Sequence, residues 1–326
     1  MGSSLGKTAG SGSEGQETCI FKKLAPVVGF ALGAGLVVYY MRRKESIEQD
    51  NSKGFKPSMS GFLQTCERDE SDCFQMKLTE KIVLNHDSYI FRFGFPDKEQ
   101  EFGLELGGHI LFYADCPDPE NGNEVSEVKR KYTPISGLDQ KGYVDFLVKI
   151  YRAGDHPKFP NGGRMTRYLE GLEVGDSVKM RGPVSKKVYK GDCNWILSGE
   201  PHKMTHLGGV LGGSGITPFF QYMKAVVDNK DPLKISIVYG NKTEKDILLK
   251  DELDELQKQY PENIKIHYII DKPEDPENWD SDVGYITREI LEEHLPPPGP
   301  ETMVIPIGPK PMNKLTRELL HDYTFY

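Results

Sequence analysis

Between Gly208 and Phe220 the chain reads GGVLGGSGITPFF, with five glycines in one short run, and this run constrains the fold more than any other. Glycines so closely spaced let the backbone turn tightly and bring its N–H groups up to a ligand, most often a phosphate. A triphosphate-binding loop would place a lysine behind the glycines, where Ser214–Gly215 stand instead. The dinucleotide pattern GxGxxG is met in part, because Pro218 replaces the third glycine. Two readings stay open on these letters: a ligand-bearing strand–turn–helix, or the same turn without a ligand. Thr217 and Pro218 supply an N-cap and a first-turn proline for a helix running into FFQYMKAVV.

The surroundings place this run at the start of an α/β domain over 206–326. HLGGVLGG, KISIVYGN, KIHYIID and TMVIPIG are apolar strand patterns with helical segments between them, the alternation of a parallel sheet. Thr243 to Asp246 reads as the acidic first turn of the helix through ILLKDELDELQKQY, and Thr287 as the cap of REILEEHL. Upstream, over 71–183, short β-rich runs separated by turn residues (KIVLN, YIFRFGF, HILFYA, GYVDFLVKIY, SVKMRGP) indicate an antiparallel barrel or sandwich. The expected organisation is an α+β two-domain chain, with 184–205 as interdomain linker and 45–70 as a polar tether.

The N-terminus differs. Residues 1–21 read as a disordered Gly/Ser-rich tail and 22–44 as a membrane anchor. The run LAPVVGFALGAGLVVYYM, Leu24 to Met41, is uncharged and flanked by Lys22–Lys23 and Arg42–Arg43–Lys44. At about 1.5 Å per residue it spans roughly 27 Å, near the thickness of a hydrocarbon core. A cleaved signal peptide or a buried core helix would use similar letters, but the length, Tyr39–Tyr40 and the basic flank favour a retained transmembrane helix. The heavier C-terminal flank puts the folded part in the cytosol. The formal net charge of −8 argues against nucleic acid as the main partner. Five scattered cysteines without a CxxC pair suit reduced thiols better than disulfides or zinc, and no metal is expected.

Two further motifs carry chemistry. In KRKYTPIS, Lys129 to Ser136, Arg130 offers a fork for a pyrophosphate, while Tyr132 and Thr133 add an aromatic face and hydroxyls. A plain strand with a turn proline fits the same letters. In HPKFPNGGRMTRYL, His156 to Leu169, the glycine pair before Arg164, Met165 and Thr166 suits a phosphate-holding turn or an ordinary glycine turn.

The order of these motifs is more specific than any one of them. RKYTPIS, then GGRMT, then GGSGITP, then GPKPM resembles the ferredoxin reductase-like flavoproteins, and more closely the NADH–cytochrome b5 reductases. VKIY (148–151), DHPKFPNGG (155–163) and NKTEKDILLKDELDEL (241–256) are similar to that family, and the resemblance covers about 75–312. It implies an antiparallel FAD-binding barrel followed by an α/β pyridine-nucleotide domain. It implies that Arg130, Tyr132, Thr133 and Ser136 line FAD, with Thr133 near flavin N5, and that Val148, Lys149, Tyr151 and Phe159 extend the cofactor-contacting wall. Lys149 would also serve the nucleotide, and Gly163, Arg164, Met165 and Thr166 would hold the pyrophosphate. His109 would join Thr133 in a proton path from the flavin. Gly213, Ser214, Gly215, Thr217 and Pro218 would shape the flavin–nicotinamide contact, with Ser214 counted among the catalytic residues.

On the same resemblance, Asp271 would accept from the adenosine ribose and repel a 2′-phosphate, favouring NADH. Tyr285 would lie beside the adenine, and Gly308, Pro309 and Met312 would complete the nucleotide site. The implied reaction passes a hydride from NADH to FAD and then single electrons to cytochrome b5, an acidic haem protein that Arg164, Lys186, Lys187 and Lys190 would dock. The implied membrane is the ER or the mitochondrial outer membrane. A related reductase with a quinone or another haem protein as acceptor, and a flavin-free scaffold, are the competing readings. Two departures stand out: Ile307 occupies the family's cysteine position beside the nicotinamide, and Lys310 adds a charge near the nucleotide.

Overall fold

In the computed structural model of the chain, residues 59–155 and 160–325 are described. The anchor over 22–44, most of the tether, and Phe159 lie outside them. Among the described residues no helix is long and apolar enough to cross a membrane.

Strand β1 (Cys73–Val83) buries Phe74, Met76 and Leu78 and exposes Gln75, Lys77 and Thr79, the period-two pattern of a sheet with one face on a core. It joins β2 (Ser88–Gly94), β3 (His109–Asp118), β4 (Glu124–Tyr132), β5 (Tyr143–Lys149) and β6 (Ser177–Val184) in the order β4-β3-β6-β1-β2-β5. Every pairing is antiparallel. Beyond the outermost strands, Pro134 bridges Phe146, so the sheet curls towards closure as a half-barrel. Its interior is aromatic: Phe112 packs edge-on to Phe93 and Phe146 at 5.7 and 4.9 Å between centroids. The short helix α1 (Phe62–Thr65) belongs to this core as well, since Phe62 stacks on Phe95 at 5.1 Å. The tether therefore ends earlier than its polar letters suggest, because Phe62 and Leu63 are buried.

The interdomain linker expected over 184–205 is instead a folded three-stranded antiparallel sheet, β7 (Lys187–Gly191), β8 (Asn194–Leu197) and β9 (Glu200–Lys203). Its cause is apolar burial. Trp195 and Tyr189 are fully enclosed, and the Trp195 ring lies 5.3 Å from Tyr222 of the following helix. The Tyr189 hydroxyl donates to Asp231, which also accepts the Asp192 N–H at 2.8 Å.

The α/β domain consists of β10 (His206–Gly212), α3 (Ile216–Asn229), β11 (Lys234–Asn241), α4 (Lys250–Gln259), β12 (Ile264–Ile270), β13 (Asp282–Val283), α5 (Arg288–His294), β14 (Thr302–Ile307) and α6 (Lys310–Leu319). An α2 helix (Arg164–Glu170) precedes them in the barrel. The parallel sheet runs β13-β12-β11-β10-β14, so the chain reverses direction across the sheet between β10 and β14. Two helix starts differ from expectation. A 3-10 turn over Gly213–Gly215 starts α3 at Ile216, which places Thr217 and Pro218 inside the first turn, where a proline still costs no intrahelical bond. Thr243 caps a 3-10 turn, Glu244–Asp246, in a capping box with Asp246, and α4 begins only after Leu249 in left-handed conformation. Thr287 does cap its helix, accepting from the Ile290 N–H.

Candidate active site at the domain junction

In an open α/β sheet, ligands bind beyond the strand C-termini where the strand order reverses. Here that crevice lies at the ends of β10 and β14, and the glycine run supplies its floor in three distinct ways. Gly208 and Gly209 serve packing: a Cβ there would meet Val304 at 2.9 Å and the Phe219 ring at 2.6 Å. Gly215 permits backbone contact, since a Cβ would sit 2.0 Å from the carbonyl oxygen of Ile307. Gly308 answers from β14, where a Cβ would sit 2.3 Å from Met312 Cε. Within the run, Gly213 combines a left-handed φ of +52° with open space beside it. Its carbonyl is held by the Tyr239 hydroxyl at 2.9 Å, and the Ser214 carbonyl by the Thr217 hydroxyl at 3.3 Å. Pro309 and Met312 back this turn, both near the Cβ position of Gly212.

Asp271 follows β12, its N–H donating to the Asn241 carbonyl at 3.0 Å, and partial desolvation raises its carboxyl against the pull of Lys242. Tyr285 is 84% exposed two residues beyond β13. Ile307 and Lys310 flank Gly308, with Lys310 on the surface at the start of α6.

From the barrel, β5 runs beside the Gly213–Gly215 turn, with Cα atoms within 8 Å. Tyr132 leans on Phe112 at 4.7 Å, and burial raises its phenol. Thr133 is half-buried, Ser136 accepts the Asp145 N–H at 3.2 Å, and Arg130 is exposed with a bond to the Lys129 carbonyl. Tyr151 is exposed beside the loop that leads to α2. Gly163 donates to the Tyr151 carbonyl at 2.8 Å, and the Thr166 hydroxyl accepts the Tyr151 N–H at 3.2 Å. These bonds hold the two ends of the loop, at Tyr151 and Gly163, against each other.

Four of the expected cofactor contacts are placed differently. Val148 and Met165 lie in the barrel core, each 1% exposed. The Arg164 guanidinium ties the β3–β4 hairpin together through the carbonyls of Pro117 and Cys116, Asp118 and Ser126. Lys149 is clamped between Asp87 at 2.7 Å and Asp246 at 2.9 Å, one carboxylate from each domain. Sequence reasoning missed both of these acids. It missed Asn241 and Gln221 too, although Asn241 ends a parallel strand, where such sites gather.

His109 opens β3 at the junction. Burial, reinforced by Lys131 and Lys187, lowers its imidazole to about 4, so it is neutral near pH 7. Among the described residues its Nε2 is buried without a hydrogen-bond partner, as are Ser185 Oγ, Gln221 Nε2 and both amide atoms of Asn241. Gln221 Oε1 meanwhile accepts the Gly107 N–H at 3.1 Å, fixing its amide at the junction. A buried polar atom left unpaired costs about 1–3 kcal/mol, so each of these calls for a partner such as a ligand atom or ordered water. The open Gly213 turn beside β5 of the barrel suits a flavin meeting a nicotinamide nucleotide.

Residues 75–189 match the oxidoreductase FAD-binding domain and residues 210–318 the oxidoreductase NAD-binding domain. The chain is 38% identical over 254 residues to NADH-cytochrome b5 reductase 2 of Gallus gallus, covering 75% of this chain and 80% of that one. It is 39% identical over 250 residues to nitrate reductase [NADH] 1 of Oryza sativa subsp. japonica, covering 76% of this chain and 26% of that much longer protein. Among solved structures, the cytochrome b5 reductase domain of Ulva prolifera nitrate reductase superposes with a TM-score of 0.72 at 34% identity, over 80% of this chain and 100% of that one. A flavin half-barrel, a parallel nucleotide sheet and a junction built from both, with the Gallus gallus reductase matched over four-fifths of its length, place the chain in the NADH–cytochrome b5 reductase family of FAD-dependent oxidoreductases.

Proposed function

We propose that the protein carries electrons from NADH through FAD to cytochrome b5, anchored by residues 24–41 in the ER or mitochondrial outer membrane with its folded part in the cytosol. The observation that carries the reading is the junction itself, where β5 of the barrel adjoins the open Gly213 turn of the nucleotide sheet. Bound FAD supplies the chemistry, accepting a hydride and releasing electrons singly. The chain's residues supply position. Tyr132, Thr133, Ser136 and Arg130 border the flavin, with the backbone from Gly163 to Thr166 at the pyrophosphate. Gly213, Ser214 and Gly215 seat the nicotinamide, while Asp271 and Tyr285 receive the adenosine end. His109, neutral and with Nε2 unpaired, is suited to exchange a proton with Thr133 at the flavin edge.

The docking surface for an acidic haem protein shifts from the residues first expected. Arg164 is engaged internally and Lys190 pairs with Glu105 at 2.6 Å. Lys187 is held below the usual lysine range by burial and by Lys186, Arg317 and Lys131, so these four cations lie close enough to repel one another. They form the basic patch in this reading. The plant nitrate reductases, in which a similar module is part of a longer protein, favour a second reading with a different acceptor.

The test uses the purified holoprotein, its visible spectrum, and cytochrome b5 reduction with NADH or NADPH. A flavin spectrum, faster reduction by NADH and a rate falling with salt are expected. A colourless protein would sink the flavoenzyme reading, NADPH preference would remove the role of Asp271, and salt-independent rates would remove the patch.

A further inference from the structure

Away from the junction, three elements of the nucleotide domain bring two imidazoles and a carboxylate together. His267 lies on β12, Asp282 begins β13 and His294 ends α5. Their donor atoms all lie within 4.8 Å of one another, and all three residues are half-buried. His267 Nε2 is 2.9 Å from Asp282 Oδ2, and the two imidazole rings stack face to face at 3.5 Å with 7° between their planes. Among the described residues no lysine or arginine pairs with Asp282. The other acid–histidine group, His86, Asp87 and Asp246, differs in this respect, because the Lys149 ammonium already stands between its carboxylates.

We propose that His267, His294 and Asp282 form a binding site for a divalent transition cation of the zinc type. Two imidazole nitrogens and one carboxylate oxygen are a donor set that suits Zn2+ and disfavours Mg2+ or Ca2+, which prefer all-oxygen ligands. Donors about 2.0–2.2 Å from a tetrahedral ion stand roughly 3.3–3.5 Å apart. Binding would open the 2.9 Å His267–Asp282 contact slightly and turn the stacked rings so that their nitrogens converge on the ion. The ion would tie the two-residue strand β13, which pairs with β12 at Ile269–Asp282 and Ile270–Val283, to the end of α5. It would thereby staple the segment leading to Tyr285 and stabilise the native chain by preferential binding.

The experiment is calorimetric titration of the holoprotein with Zn2+, paired with thermal melting, for wild type, His294→Gln, Asp282→Asn and His86→Gln. Asp282 is partly exposed and tolerates the amide, and an unchanged flavin spectrum shows that each variant is folded. One zinc per chain is expected in wild type and in His86→Gln, with a melting temperature that rises on addition. Affinity should fall about 10–100-fold in His294→Gln and Asp282→Asn, with loss of the thermal shift. Wild-type affinity in both of those variants, or no zinc binding by the wild type, would overturn the site.

Discussion

In the barrel, Arg164 and Lys149 stand in motifs that suggest phosphate or nucleotide contact, yet both charges are satisfied inside the protein. Arg164 holds the β3–β4 hairpin, and Lys149 joins two carboxylates from different domains. In the parallel sheet the reverse holds, because the site is made where side chains are missing. Gly215 lets its turn meet the Ile307 carbonyl at a distance no Cβ would permit, Gly308 leaves room for the Met312 side chain, and Gly213 has open space beside it. The difference teaches how to weigh a motif. A charge leaving water must find partners, whichever are nearest, so it says little about ligands. A glycine whose Cβ would strike backbone fixes geometry and leaves few alternatives.

The comparison breaks first at Lys149. Replacing it with methionine leaves Asp87 and Asp246 facing each other, each about one-tenth exposed, without the cation between them. The expected loss is about 3–5 kcal/mol of stability, read by urea unfolding of the holoprotein, together with looser coupling of the two domains. If Lys149 instead serves only the nucleotide, stability will hold and only the NADH KM will rise. Gly215→Ala comes next. Its φ of −62° suits any residue, so the whole effect is the collision with the Ile307 carbonyl, about 3 kcal/mol from forced backbone shifts. Gly213→Ala sharpens the contrast within one motif. Nothing obstructs a Cβ there, and the left-handed φ costs about 1–2 kcal/mol. Stopped-flow flavin reduction by NADH should nevertheless slow by up to about a hundredfold, because the methyl enters the proposed nicotinamide space.

These contrasts also show what could be read from the chain and what could not. The half-barrel was legible because Phe74, Met76 and Leu78 alternate with polar neighbours, and the parallel sheet because apolar runs alternate with helical ones. The cap at Thr287 was legible because a single side chain makes it. The sheet over 187–203 was not: KGDCN and SGEP are dense in turn residues, and they hide the burial of Tyr189 and Trp195, which depends on α3. Thr243 to Asp246 reads as the acidic first turn of the helix through ILLKDELDELQKQY but forms a separate 3-10 turn, since the left-handed Leu249 between them leaves no signature in the letters. The partners of Arg164 lie 38 to 48 residues away in sequence, and no spacing rule connects them. Ligand roles came from the order of motifs. Which atoms remain for a ligand came only from seeing which were already used.

His109 is the barrel residue that behaves like the nucleotide half, contributing by having an atom unengaged. Its imidazole sits near 4 in the folded protein, against an ordinary value of 6.5, because burial and then Lys131 and Lys187 oppose its charge. The unfolded chain therefore binds a proton that the folded chain refuses throughout that interval. Stability from this group is full above the ordinary value, falls as pH drops below it, and levels off beneath about 4. Between about pH 7 and 5.5 the expected loss is about 1 kcal/mol, seen as the difference in urea midpoints between wild type and His109→Gln. Glutamine keeps a polar group at the junction but cannot titrate, so its stability should depend less on pH over that range. Equal slopes for the two proteins would mean that His109 is solvated and charged like an ordinary histidine. In that case its nitrogen is not reserved for the flavin edge, and the proton path would have to rest on Thr133 alone.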